Sequence, residues 1–120
     1  MYKPFSLVLL LLSGVAGAQA VEVPSAETLA GCAACHGSAG QGNQALAAPP
    51  LAGQDAAYLA RQLQNCKDGR RGYAEEDQAG RQMRAIASGL SAQSIASLAG
   101  YFAGLPAHTL TGTADVEVAD

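Results

Sequence analysis

The chain has 120 residues, and hydrophobic residues make up 49% of it. This length fits a single small domain. The formal net charge of −3, without a basic stripe, argues against a nucleic-acid partner. With no Trp, four Tyr and two Phe, the side chains alone supply little bulk for a core, and a small domain buries only a modest share of its surface.

The first twenty residues have the three parts of an export signal. Lys3 provides the positive charge, residues 5–15 form the apolar stretch, and residues 18–20 (Ala-Gln-Ala) form a cleavage site of small residues. The apolar stretch is shorter than the about 20 residues that a membrane span requires; an uncleaved N-terminal anchor is the alternative. We predict a signal peptide over residues 1–20, cleaved after Ala20, and no membrane span in the mature chain.

The first predicted helix covers about residues 25–35 and leads into the most informative motif of the chain. Residues 32–36 read Cys-Ala-Ala-Cys-His, the attachment signature of a c-type haem. On one helical turn both sulfurs can form thioether bonds to the vinyl groups of a porphyrin, and the next imidazole can bind its iron. We therefore predict that Cys32 and Cys35 hold haem c covalently and that His36 is an axial iron ligand.

Two other uses of a C-x-x-C pair are less consistent with this sequence. A thioredoxin-like redox pair follows a strand in a βαβ unit, whereas residues 26–31 are alanine-rich and helix-prone. A structural zinc site requires a second pair of ligands at short spacing, and Cys66 and His108 are isolated and far apart. Haem attachment is favoured, and a buried macrocycle would supply the apolar bulk that the side chains lack.

The remaining predicted elements are helices and loops. Residues 37–50 are rich in glycine and proline and form a loop that can wrap around a flat ligand. A second helix is predicted over residues 55–68, capped near Asp55 and ended by Gly69. Residues 69–78 are polar and exposed, with at most a short turn of helix after them.

A last helix is predicted over residues 92–103. Ser91 is its N-cap, and Gly104 with Pro106 ends it. The small, polar and acidic residues 109–120 are predicted to form a mobile tail.

Met83 is the only methionine of the predicted mature chain. It follows the polar segment and precedes the last helix, and a thioether is a good sixth ligand because soft sulfur favours reduced iron. We predict that Met83 is the second axial ligand, the alternative being an ordinary core methionine. The competing candidate, His108, lies beyond the last helix and is predicted to be at the surface.

Several stretches resemble class I bacterial cytochromes c of the c4/c5/c553 group. The matching sequences are CAACHG, PPLAGQ, YL…QL, MRAIASGLS and IA…LA…YF, which together cover almost all of residues 32–106. The resemblance implies an all-α fold of three to four helices wrapped around one covalently bound haem, with the domain over residues 21–108. It also implies that the Pro49 carbonyl accepts a hydrogen bond from His36, which would fix the tautomer and orientation of the ring.

The resemblance further implies a periplasmic mono-haem carrier that passes single electrons between redox partner proteins and is not an enzyme. Cytochromes c4 carry two haem domains, whereas this sequence has one attachment motif, so it is a single-domain relative or one half of an assembly. A fixed electron-transfer subunit of a larger dehydrogenase or reductase is the alternative. A haem enzyme or gas sensor with an open sixth site is a third hypothesis.

Two further features allow two interpretations each. All six cations of the predicted mature chain lie within residues 61–84, which carry a net charge of +2. One interpretation is a basic patch that attracts the haem propionates or an acidic partner protein. The other is an ordinary solvated surface.

Cys66 shares a helix face with Leu59 and Leu63, which predicts a small buried hydrophobe. The alternative for Cys66 is an intermolecular disulfide.

Overall fold

The computed structural model describes residues 22–108, so the predicted signal peptide and acidic tail lie outside the described residues. Within this range the chain forms four helices and a short 3-10 turn at Gln44–Leu46. The helices are α1 (Ala26–His36), α2 (Ala56–Lys67), α3 (Gln78–Ser88) and α4 (Ala92–Ala103). The described backbone has no strand, only an isolated bridge between Asn43 and Ala48. The predicted all-α architecture is confirmed.

The predicted N-caps form the expected hydrogen bonds. Ser25 accepts the backbone N–H of Thr28 through its hydroxyl, and Asp55 caps α2 in the same way. Ser91 does so for α4, whose bounds agree with the prediction. These side chains satisfy N–H groups that have no partner within the helix, which explains why the three helices begin where the sequence indicates.

Helix α3 is longer than predicted. The sequence indicated a short turn of helix after the polar residues 69–78, and this region contains Gly80, a poor helix former. The structure shows an 11-residue helix whose N-cap, Asp77, accepts the N–H of Gly80. Its side chain at Ala87 is fully buried, and the helix packs against α2. Tertiary packing therefore stabilises a helix that its own sequence predicts only weakly.

The core is thin and centred on α4. Helix α2 packs against both α3 and α4, and Leu29 and Cys32 of α1 contact the central cluster. Only eight apolar residues of the described chain are buried, three of them alanines, which agrees with the shortage of bulk noted in the sequence. The central cluster consists of Leu59, Leu98, Ala99 and Phe102.

The loop between α1 and α2 folds back over the end of α1. The N–H of Gly42 donates to the carbonyl of His36 at 2.7 Å, and the N–H of Gly53 donates to the Phe102 carbonyl at 3.0 Å. Gly42 has φ +84°, and a Cβ there would lie 2.7 Å from the nitrogen of Pro50, so only glycine fits. These contacts tie the loop to α1 and α4 and bring residues 48–50 close to the end of α1.

No helix within residues 22–108 combines the length and the apolar character that crossing a bilayer requires.

Candidate haem attachment site

The attachment motif occupies the last turn of α1. Cys32 and Cys35 are free thiols and partly exposed, and His36 is buried, with 6% of its surface exposed. The helix stops directly after the motif because Gly37 has φ +86° and donates its N–H back to the Ala33 carbonyl. Both thiols and the imidazole therefore lie within about one helical turn, as attachment to a single macrocycle requires.

The imidazole of His36 is oriented by the loop. Its Nδ1 lies 2.8 Å from the carbonyl oxygen of Pro49. A carbonyl oxygen can only accept, so Nδ1 carries a proton, and in the neutral ring Nε2 then has the free lone pair. This is the arrangement in which a histidine binds a metal through one nitrogen while the other is held by an outer partner. The His36 ring thus fits an axial iron ligand, and that role stays a prediction.

The pKa of the Cys32 thiol bears on the choice between haem attachment and thiol redox activity. Burial raises the pKa of its thiol above the ordinary value, and a hydrogen bond to its own backbone only partly opposes this. Redox-active cysteines of C-x-x-C motifs instead have a lowered pKa and a reactive thiolate at neutral pH. The environment of Cys32 therefore disfavours a thioredoxin-like pair.

The zinc alternative also finds no support in the part of the chain that the structure describes. No three His, Cys, Asp or Glu side chains there gather as potential metal ligands. Of the two isolated residues, Cys66 is buried in α2 and His108 is exposed after α4. The surface position predicted for His108 agrees with the structure.

Met83 lies on α3 and is partly buried. It follows the polar segment and precedes α4, as the sequence predicted, and it lies in the middle of a helix that is longer than expected. One turn along the same helix lie Ala87, which is fully buried, and Ile86, which is 50% exposed. Ile86, and Leu46 in the loop, are apolar side chains available to contact a macrocycle. The role of Met83 as an iron ligand stays a prediction.

The structure brings Cys32, Cys35, His36 and the Pro49 carbonyl together at one end of α1. Sequence reasoning did not single out Gly42, whose close approach to Pro50 shapes the loop that carries this carbonyl. Its only signal was the glycine-rich run after the motif. Positive φ and close backbone approach are the usual reasons for glycine in such a run.

Cys66 is a buried residue of α2, with 5% of its surface exposed. This agrees with the predicted small hydrophobe and does not favour an intermolecular disulfide. Burial raises the pKa of the thiol; the positive charge of Arg71 opposes this shift, and the negative charge of Asp77 adds to it. A protonated, covered thiol reacts slowly with alkylating reagents because the thiolate is the nucleophile.

Alkylation of the haem-loaded protein is therefore expected to modify no cysteine in the native state and one cysteine, Cys66, after unfolding. At mildly alkaline pH the native rate should be at least about tenfold below the unfolded rate. Mass spectrometry of intact protein counts the added groups. Modification of three cysteines after unfolding would contradict thioether attachment, and rapid native modification would contradict the buried position of Cys66.

Comparisons with known proteins identify the family to which this chain is similar. The family model described as cytochrome c matches residues 25–106. The cytochrome c4 of Azotobacter vinelandii is 39% identical over 80 residues, which are 67% of this chain and 37% of the relative. A protein of Thiomonas intermedia named thiosulfate dehydrogenase electron acceptor is 41% identical over 93 residues, covering 73% and 40% of the two chains. The chain thus spans about two fifths of the length of these curated relatives.

A solved structure extends the comparison to the fold. The crystal structure of reduced recombinant cytochrome c4 from Pseudomonas stutzeri matches with a TM-score of 0.56 and 37% sequence identity. The match covers 62% of this chain and 38% of that chain. With helices, attachment motif and family model in agreement, this chain belongs to the cytochrome c family, whose cofactor is covalently bound haem c and whose function is electron transfer.

Proposed function

We propose that this chain is a periplasmic mono-haem electron carrier with Cys32 and Cys35 as attachment residues and His36 and Met83 as axial iron ligands. The hydrogen bond between His36 Nδ1 and the Pro49 carbonyl carries the proposal, because it presents the lone pair of Nε2 beside two thiols on the same turn. Haem iron bound there would accept and release one electron at a time.

The residues of the chain have distinct tasks in this proposal. Cys32 and Cys35 fix the cofactor to the end of α1, and Pro49 holds the ring of His36 in one orientation, so that it does not rearrange when the iron changes charge. Met83 would supply the second axial ligand, which would exclude exogenous ligands and raise the reduction potential relative to a second histidine. Two filled axial positions suit electron transfer and disfavour a haem enzyme or gas sensor.

The periplasmic location is supported by the signal-like residues 1–20 and by relatives that are bacterial proteins. The partners in this proposal are proteins that donate and accept single electrons. A fixed subunit of a larger redox assembly is the second candidate, and the relative that is named as the electron acceptor of a dehydrogenase favours it. A purified chain that is monomeric and reversibly reducible alone supports the carrier; stable co-purification with a dehydrogenase supports the subunit.

Replacing Met83 with alanine is expected to open the sixth coordination position. The ferric protein should lose the band at about 695 nm that a methionine sulfur–iron bond produces, and the ferrous protein should bind carbon monoxide. The covalent haem content should remain unchanged, because the thioether bonds do not involve Met83. Optical spectra of the purified haem-loaded variant measure all three properties.

His108→Ala is the matched control, because His108 is the other candidate for the sixth position and is exposed in the structure. This variant should keep the band and should not bind carbon monoxide. Survival of the band in Met83→Ala, or its loss in His108→Ala, would overturn the proposed ligand set.

A further inference from the structure

The helix that carries Met83 is approached by the end of α2 and by the turn that follows it. The side chain at residue 67, the last of α2, reaches a carbonyl just beyond the end of α3, and the backbone at residues 69 and 72 lies close to α3 itself. None of these contacts involves Met83. They act together with the packing of α2 against α3.

The tightest of these contacts joins Gly72 to the first turn of α3. Gly72 is buried and has φ +70°, and a Cβ on it would overlap the carbonyl oxygen of Gly80 and lie 2.9 Å from the nitrogen of Arg81. The obstacle is backbone, which cannot rotate away as a side-chain end can. Any residue larger than glycine at position 72 must therefore displace the start of α3.

The first turn of α3 is itself fixed by Asp77. The carboxylate oxygen Oδ1 of Asp77 accepts the backbone N–H of Gly80 at 2.8 Å, which caps the helix. Gly80 thus takes part in both contacts, one with the cap and one with Gly72. It also lies three residues before Met83, so the two residues occupy neighbouring positions on the same side of the helix.

The other end of α3 is tied less rigidly. Lys67 donates through Nζ to the carbonyl of Leu90, just beyond the last residue of α3. Near the middle, the guanidinium of Arg84 would lie 3.2 Å from a Cβ placed on Gly69. Both contacts use the ends of flexible side chains, which can adjust. The backbone contact at Gly72 is accordingly the least adjustable of the three.

We infer that Gly72 is a positioning residue for Met83. Because Gly72 has no side chain, the first turn of α3 can lie close to it, and this position of the helix allows the methionine sulfur to reach the iron. The inference rests on the proposed role of Met83 as an axial ligand. A displaced helix would lengthen or break the sulfur–iron bond in part of the molecules. An exogenous ligand binds only the molecules in which the sulfur–iron bond is broken. Its apparent dissociation constant therefore reports the fraction of such molecules.

The test compares Gly72→Ala with Gly69→Ala in the haem-loaded protein. Both glycines have positive φ, +70° and +74°, so alanine introduces the same backbone strain at either site. Only at position 72 does the new Cβ meet backbone. We expect Gly72→Ala to weaken the band at about 695 nm and to bind imidazole about tenfold more tightly in the ferric state, whereas Gly69→Ala should retain the wild-type band and affinity.

Equal imidazole affinities in the two variants would overturn the inference. If Gly72→Ala does not accumulate with haem attached, two variants of the cap replace it in the test. Asp77→Ala removes the cap of α3 without introducing a clash, whereas Asp77→Asn keeps an oxygen that can accept the N–H of Gly80. Tighter imidazole binding in Asp77→Ala than in Asp77→Asn then supports positioning of Met83 by the start of α3, and equal binding refutes it.

The outcome for Met83→Ala separates this inference from the proposed function. If that variant loses the band while Gly72→Ala and Gly69→Ala behave alike, the ligand assignment stands and the positioning role fails. If Met83→Ala retains the band, the ligand assignment fails, and the positioning role fails with it.

Discussion

Replacing Cys32 and Cys35 together with serine is expected to leave the chain without haem and without a cooperatively folded core. The two thiols are the proposed attachment points of the haem, as the C-x-x-C-H motif indicates. The remaining core has eight buried apolar residues, three of them alanines. Domains of this size depend on additional stabilisation when their side chains bury little apolar surface. The lost macrocycle is the largest apolar group that the fold would contain.

Three quantities are measured on the purified protein. The mass and the haem absorbance report attachment of the cofactor, and the far-ultraviolet circular dichroism on heating reports the melting transition. The double variant should lack the added mass of the macrocycle and should show a broad or absent melting transition. Cys66→Ala is the matched control, since it removes a buried thiol outside the motif. It should retain the haem and lose about 1 kcal/mol of unfolding free energy. A double variant that melts as sharply as the wild type would contradict the dependence of the fold on haem.

Phe102→Ala is expected to lower the free energy of unfolding by about 3–5 kcal/mol. Phe102 belongs to the central cluster with Leu59 and Leu98 and packs edge-to-face on Tyr101, with ring centroids 5.2 Å apart. It also borders an open pocket of about 150 Å³ between α1 and α4. Truncation would remove buried apolar surface and leave a space in the central cluster, and both effects lower the stability.

Chemical denaturation of the haem-loaded variant measures this loss, which is large against a total stability of about 5–15 kcal/mol for a native domain. Val23→Ala serves as the control, because Val23 is 75% exposed and its truncation should change stability by less than about 0.5 kcal/mol. A loss below about 1 kcal/mol for Phe102→Ala would show that α4 is not the centre of the core.

The sequence predicted three helices well because each begins with a side chain that caps it locally. Ser25, Asp55 and Ser91 satisfy backbone groups three residues ahead, and such short-range chemistry is visible in the sequence. Helix α3 was underestimated because its stability comes from packing against α2, which involves residues distant in the chain. Its cap, Asp77, was the one local signal available.

The same distinction applies to the site. The attachment motif is local, and the sequence alone identified it. The contact of Pro49 with His36 spans thirteen residues and was expected only from the resemblance to a known family. The contact between Gly72 and Gly80 has no sequence signature, since a glycine is equally suited to any turn. Whether a glycine serves a turn or a close approach is decided by tertiary structure.

The partner of His36 is a peptide carbonyl rather than a carboxylate. A carbonyl oxygen gains and loses no proton in the pH range of living cells, whereas an aspartate in its place would change charge in acid. The group that accepts the hydrogen bond of His36 therefore carries no charge that varies with pH. In the proposed role of His36 as an iron ligand, the polarity of its hydrogen-bond partner would therefore stay the same in acidic and in neutral surroundings.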